Sequence, residues 1–224
     1  MAIENILPFL KIKRMPEKKE GDEKEAAQEA TCEDVTPYKI RLAVYRKIIE
    51  KYAPIINTGE EKTVPQLKAL INKDDEVVAK VKEKVTGAAP GGDAMMLAET
   101  AYKFVQSLRP VHANLSVTYW LSPSDIMELG AADAFDRAIF LCSILRALNM
   151  DAKVRVVSLE GGLSHPVVIL SFGRDDYILD VFQSAEFGTF KGPLPEILPQ
   201  FSFEGKHFVK NVFEFNNDDF TQFE

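Results

Sequence analysis

The chain has 224 residues, of which 46% are hydrophobic and 27% are charged, a composition typical of a globular domain with a short extension. Its formal net charge of −7 makes a phosphate backbone an unfavourable partner, so we expect no nucleic-acid binding. No apolar run approaches the roughly 20 residues that span a bilayer, and Cys32 and Cys142 lie in unlike contexts. We therefore expect a cytoplasmic protein without a transmembrane segment or a disulfide framework.

Residues 1–35 differ in composition from the rest of the chain. The first ten residues are mostly apolar, and we interpret them as a frayed terminus or, alternatively, as a docking peptide or weak membrane foot. Residues 11–35 carry many charges and few large apolar side chains, so they bury too little surface to offset the entropy of ordering. We predict a flexible N-terminal segment and charged linker over residues 1–35, which proteases should cut readily.

Residues 36–92 have the pattern of a helical layer. Thr36-Pro37 combines a capping residue with a proline at the first helical position, and apolar residues then recur at helical spacing as far as about Tyr52. Further helix starts are indicated by polar capping residues at Thr63, Asp74-Asp75 and, beyond a glycine-rich break, Asp93. The apolar stripes of these helices are more typical of a core than of a ligand site.

Residues 93–215 are expected to form the core of one domain that covers residues 36–224. The segment from Asp133 to Leu148 is apolar nearly all round at helical spacing, which predicts a central buried helix. A short helix from Ser122-Pro123 to Gly130 precedes it. Strands are predicted at Lys153–Ser158, Val167–Phe172, Tyr177–Phe182 and His207–Phe215. Because adjacent strands follow a set of helices, we predict an α+β fold with the central helix packed on an antiparallel sheet.

The start of the predicted central helix carries the most specific motif in the chain. Residues 132–138 read ADAFDRA, His165 lies at the start of the second strand, and Asp180 lies near the end of the third. This order resembles the transglutaminase-like superfamily, of papain-like cysteine hydrolase fold, whose buried helix opens with Gly-Asp-Cys-x-Asp-Lys/Arg-Ala. Residues 119–123, YWLSP, are similar to the aromatic-Trp-x-x-Pro segment of archaeal and bacterial members. The resemblance covers about residues 93–185.

Two residues depart from the pattern of this family, Ala132 at its glycine and Ala134 at its cysteine. The chemistry that the resemblance implies needs a thiolate at a helix N-terminus, where the N–H groups and the helix dipole lower the thiol pKa. His165 would pair with the thiolate and act as general acid, and Asp180 would orient the imidazole. Alanine has neither a lone pair nor a proton to offer. The resemblance therefore implies a catalytic site, Ala134, His165 and Asp180, without its nucleophile.

Neighbouring residues are poor substitutes for the missing cysteine. Cys142 is ~12 Å further along the same helix, at ~1.5 Å per residue, and falls on the apolar stripe. Ser164 is adjacent to His165, but successive residues of a strand face opposite ways. Beyond the three catalytic positions, the candidate cleft residues are Trp120, Asp133 and Ser164.

Three functional interpretations remain open. The first is a non-catalytic module that binds a peptide or protein in the hydrolase cleft. Because the chain has a net negative charge, a basic or neutral ligand would suit this cleft. The alternative is a cysteine hydrolase, peptidase or transglutaminase whose nucleophile was replaced by Ala134. The third is a structural subunit whose termini carry the function. His112 and His207 have no ligand spacing to another His or Cys, so we expect no metal, and we expect no cofactor.

Overall fold

The computed structural model describes residues 35–112, 119–183 and 185–223, and the chain divides into two compact units, residues 1–48 and 49–224. The helices are α1 (Val35–Glu60), α2 (Val64–Ala69), α3 (Glu76–Ala88), α4 (Ala94–Gln106), α5 (Pro123–Leu129), α6 (Ala134–Ala147) and α7 (Leu194–Ile197). The strands are β1 (Arg109–Pro110), β2 (Ala131–Ala132), β3 (Asp151–Leu159), β4 (Leu163–Phe172), β5 (Asp175–Leu179), β6 (Phe190–Gly192), β7 (Ser202–Phe203), β8 (Lys206–Phe215) and β9 (Phe220–Gln222). This combination confirms the predicted α+β class. The predicted linker lies almost wholly outside the described residues.

One antiparallel sheet dominates the second unit. Its strand order is β6-β5-β4-β3-β8-β7, and β9 pairs with β8. Valine- and isoleucine-rich β3 and β4 lie at its centre, as such side chains fit a pleated, buried surface. Gly173, at φ 68°, lies in the turn between β4 and β5, and Val168 pairs with Leu179. This register brings His165, before Val168, and Asp180, after Leu179, to the same end of the hairpin.

Helix α6 is the buried centre of the second unit, as its sequence predicted. It packs on β3 and β4 on one side and against α3 and α4 on the other. Phe140, Leu141, Ile144 and Leu145 are almost completely buried. Although α6 is apolar nearly all round, neither it nor any other helix in the described ranges is long and apolar enough to cross a membrane.

The sheet has a second apolar cluster, on the face opposite α6. Successive β3 and β4 residues alternate between the two clusters, so Val154 and Val168 face α6 while Val157 and Val167 face the second cluster. The other side of the second cluster is built from α7 and the residues around Phe201 and Phe203. The sequence did not predict α7, β6 or β7, because these elements are four residues or fewer.

Most helix starts lie where capping residues predicted them. Asp75 and Asp93 accept hydrogen bonds from the first-turn N–H groups of α3 and α4. The predicted end of α1 near Tyr52 is wrong, since the helix continues through Pro54 to Glu60. The helix continues although Pro54 removes one of its hydrogen bonds, and the preceding residue, Ala53, is buried.

Candidate functional site

The predicted His165–Asp180 pair is formed. Nε2 of His165 lies 3.0 Å from Oδ2 of Asp180, and the two residues are only 3% and 2% exposed. Because a carboxylate only accepts hydrogen bonds, the proton of this contact belongs to Nε2. The second ring nitrogen, Nδ1, takes no part in this contact.

The carboxylate of Asp180 is held by more than the histidine. Oδ1 accepts a hydrogen bond from the N–H of Phe182 at 2.9 Å, and Oδ2 accepts one from Nε2 of Gln183 at 2.7 Å. Burial on its own raises the pKa of Asp180, but the hydrogen bonds from His165, Gln183 and Phe182 outweigh burial and hold the pKa below its usual range. Asp180 is therefore a fixed anion that orients the imidazole.

Two aromatic rings cover the imidazole of His165. The Phe203 ring is stacked on it at 3.9 Å between centroids and 20° between planes, and the Phe201 ring lies at 6.1 Å and 24°. Both phenylalanines belong to the segment around β7. This cover explains why a polar pair stays buried on the second apolar cluster, and it limits water access to the imidazole.

The first turn of α6 presents Ala134 at a capped helix N-terminus. Asp133 is the capping residue, and its carboxylate accepts a hydrogen bond from the Asp136 N–H at 2.9 Å. The short parallel pairing of β1 with β2, which ends at Ala132, holds the chain just before this cap. Ala134 itself is half-buried. A side chain here lies beside the partial positive charge of the helix N-terminus.

Trp120 lies beside this helix start. Its ring packs edge-to-face on Phe135 at 6.2 Å, and its Nε1 donates a hydrogen bond to the carbonyl of Glu60 at 3.1 Å. Trp120 and Asp136 also line a cavity of about 390 Å³ along α6, together with apolar residues such as Phe140. His165 and Asp180 do not line that cavity. The lining of the Trp120 cavity therefore does not include the His–Asp pair.

Asp136 is a buried carboxyl group with incomplete hydrogen bonding. Its Oδ1 accepts a hydrogen bond from the Leu121 N–H at 3.1 Å, while Oδ2 has no partner among the described residues. Burial, with the nearby Asp133 carboxylate as the second cause, raises the pKa of Asp136 to about 7. The side chain is thus a titrating group near neutral pH inside the fold.

Arg137, the next residue of the motif, is a fully buried cation. Its Nη2 donates hydrogen bonds to the carbonyls of Val105 at 3.1 Å and Gln106 at 2.9 Å, which end helix α4. The guanidinium carbon lies 5.7 Å from the centre of the Phe182 ring. Arg137 therefore ties α6 to α4 and to the segment that follows Asp180.

The structure also gives the positions of the residues considered as substitutes for the missing cysteine. Ser164 is exposed while His165 is buried, so the two side chains face opposite ways and form no dyad. Cys142 is completely buried, and burial raises the pKa of its thiol far above the usual range. Cys32 lies outside the described residues. Among the described residues, no group of three His, Cys, Asp or Glu side chains could hold a metal ion.

Sequence reasoning missed three residues that support the pair. Gln183 reaches Asp180 and also donates to the carbonyl of Ser202 at 3.0 Å. The Tyr102 hydroxyl donates to the carbonyl of Asp180 at 2.9 Å, and burial raises the pKa of Tyr102 to about 12. Phe203 covers the imidazole. Only the proximity of Gln183 to Asp180 was visible in the sequence, since Tyr102 and Phe203 lie far away along the chain.

We expect Asp180→Ala to lower the free energy of unfolding by about 3 kcal/mol, because it leaves buried N–H donors of His165, Phe182 and Gln183 unpaired. Urea unfolding measures the change. Asp176→Ala on β5 is the matched control, since its carboxylate accepts from the Ser171 hydroxyl at an exposed position. An equal effect of the two substitutions would contradict the structural role of the Asp180 network.

Comparisons with known proteins give no sequence relative: no family model and no curated protein matches the chain. Among solved structures, the chain is similar to EGTA-treated Legionella pneumophila LapG, with a TM-score of 0.48 and 16% identity over 73% of this chain and 87% of that chain. The calcium-bound LapG structure has the same TM-score and identity over 80% and 90%. A Cytophaga hutchinsonii protein provisionally described as a cysteine protease has a TM-score of 0.36 and 13% identity over 65% and 49%. All three TM-scores lie below 0.5, so these similarities assign neither a family nor an activity to this chain.

Proposed function

We propose that this chain is a non-catalytic, transglutaminase-like module that binds an extended peptide or protein segment at the start of α6. The observation that carries the proposal is the combination of a buried, fully oriented His165–Asp180 pair with an alanine at the capped helix N-terminus. The pair has the geometry that the resemblance expects of a histidine and its orienting carboxylate. The side chain that would form the covalent bond is absent.

The chemistry of Ala134 supports binding over catalysis. Acyl transfer by a cysteine enzyme begins when a thiolate attacks the substrate and forms a thioester. The methyl group of alanine cannot form such an acyl-enzyme. The Asp133 carboxylate already accepts the Asp136 N–H, so a ligand carbonyl at this helix start would depend on the N–H groups that precede Asp136. Trp120 and Phe135, packed on each other beside Ala134, supply an apolar surface of the kind that anchors peptide side chains.

The second candidate function is a cysteine hydrolase or transferase in which alanine replaces a native cysteine. The same observation favours it, because the hydrogen bonds of Asp180 to His165, Phe182 and Gln183 would suit an orienting carboxylate. The codon for residue 134 in the native gene separates the two candidates. A cysteine codon excludes the non-catalytic module, and an alanine codon excludes the replaced nucleophile.

Peptide binding is measurable through Trp120, the single tryptophan of the chain. We expect the emission of Trp120 to change on titration with short unstructured peptides, more for basic or neutral peptides than for acidic ones, while mass spectrometry finds the peptides uncut. Ala134→Phe should weaken binding about 10-fold or more by filling the position between the helix start and the ligand.

Ala94→Phe is the matched control for this substitution. Ala94 is also the first residue of a helix behind an aspartate cap, Asp93, and is half-buried. Cleavage of a peptide by the protein as it stands would refute the non-catalytic function. Equal weakening by the two phenylalanine substitutions would refute the placement of the ligand at Ala134.

A further inference from the structure

The α1 residues 38–48 expose a large apolar surface. Every side chain in this stretch is exposed, and the large apolar ones have exposed fractions from 48% to 69%. We call these residues the α1 surface: Tyr38, Ile40, Leu42, Val44, Tyr45 and Ile48. Soluble proteins rarely leave so many large apolar side chains next to one another in water unless the surface binds something.

The charge on the same stretch is of one sign. Residues 38–48 contain four basic residues and no Asp or Glu, within a chain of net charge −7. These basic residues are Lys39, Arg41, Arg46 and Lys47. A second copy of α1 would bring like charges together, which disfavours self-association. The occupant that complements this surface is apolar and negatively charged.

The distribution of apolar side chains around α1 separates a bilayer from an acidic protein partner. At 3.6 residues per turn, the six apolar residues cover more than half of the circumference of the helix. A groove on a partner protein receives a narrow stripe at helical spacing, whereas the interface of a bilayer accepts a broad apolar face. Arg41 lies within this face with its guanidinium 5.8 Å from the Tyr38 ring centre, so its charged end can reach the headgroups while its stem lies among apolar atoms.

We infer that the α1 surface binds the anionic surface of a lipid bilayer, with the helix in the plane of the interface. The apolar side chains enter the boundary between headgroups and acyl chains, and the basic side chains contact lipid phosphates. Tyr38 and Tyr45 suit this depth because their rings are apolar and their hydroxyls are polar. This attachment requires no membrane-spanning helix and is independent of the function proposed for the Ala134 site.

Sedimentation of the full chain with lipid vesicles tests the inference. We expect the protein to pellet with vesicles that mix phosphatidylcholine and phosphatidylglycerol, to stay in solution with phosphatidylcholine alone, and to release as salt is raised. The double substitution R41E/R46E should weaken binding by about 25-fold or more, since each basic residue contributes roughly a factor of five near an anionic surface. V44S/I48S should weaken it through lost apolar contact.

The matched control is K206E/K210E, which changes the net charge by the same amount at exposed positions of β8. Circular dichroism on each variant verifies that the fold is retained. Equal binding by R41E/R46E and K206E/K210E would overturn the inference, as would equal pelleting with neutral vesicles. The inference would also be overturned if the protein bound neither vesicle type and light scattering showed a dimer formed through α1.

Discussion

Ala134→Cys should create a cysteine that reacts with iodoacetamide at pH 6.5 about 5- to 10-fold faster than an ordinary thiol. We expect the N–H groups at the start of α6 and the imidazole of His165, facing position 134, to favour the thiolate and to lower its pKa from ~8.5 towards ~6.5. At pH 6.5 the thiolate fraction then rises from ~1% to about half. The reaction rate rises by less than the thiolate fraction does, because a less basic thiolate is a weaker nucleophile.

The experiment compares two new cysteines in a Cys32→Ser background. Cys142 stays unreactive because it is completely buried and its thiol pKa is raised by that burial. Ala94→Cys is the matched control, since it follows the Asp93 cap as Ala134 follows the Asp133 cap. A helix N-terminus lowers the pKa of both cysteines. A difference between the two thiol pKa values therefore measures the further lowering caused by His165.

His165→Ala in the Ala134→Cys protein completes the comparison and should raise the thiol pKa to that of the Ala94→Cys control. A thiol at position 134 that already has the same pKa as the control would show that His165 and Ala134 do not converge. The His–Asp pair would then be structural. Peptide cleavage by the Ala134→Cys protein would instead support the candidate function of a cysteine hydrolase whose nucleophile was replaced.

Asp136 should make the folded state less stable as pH rises from about 4 to about 7. Its pKa in the folded state is about 7, against 3.8 for the ordinary side chain, so the folded protein binds the proton more tightly than the unfolded chain does. Stability from this group is complete below pH ~4 and is lost as pH rises through the folded pKa. The difference between the two pKa values corresponds to roughly 4 kcal/mol, because each unit is 1.36 kcal/mol.

Urea unfolding at several pH values, compared between the protein and Asp136→Asn, measures this loss. The asparagine carries no charge at either end of the range, so the stability of the variant should fall less steeply with pH. Asp125→Asn on α5 is the control of opposite sign: the hydrogen bonds from Ser122 lower the pKa of Asp125, so its contribution is lost as pH falls. Parallel pH profiles for the protein and Asp136→Asn would contradict the burial of an ionising Asp136.

Several parts of the fold could be predicted because their signals are local. Capping residues such as Asp93 and Asp133 satisfy the free N–H groups of the next turn, and these caps lie where the sequence indicated. The all-round apolarity of α6 predicted its burial, since a helix without a polar face has no stable position in water. The end of α1 was mispredicted because the helix continues to Glu60, beyond the apolar spacing that ends near Tyr52.

The sequence by itself determined the α+β class and the central helix that begins behind Asp133, and it named Ala134, His165 and Asp180 as candidate site residues. Side-chain chemistry and hydrophobic periodicity depend only on residue type and spacing, so they can be read without coordinates. The tertiary structure decided which of these groups touch. In the fold, His165 contacts Asp180, Phe203 stacks on the imidazole, and Ser164 faces the opposite way. Gln183 and Tyr102 donate hydrogen bonds to Asp180. Those contacts arise from strand register and from packing between residues distant in sequence, which no local pattern encodes.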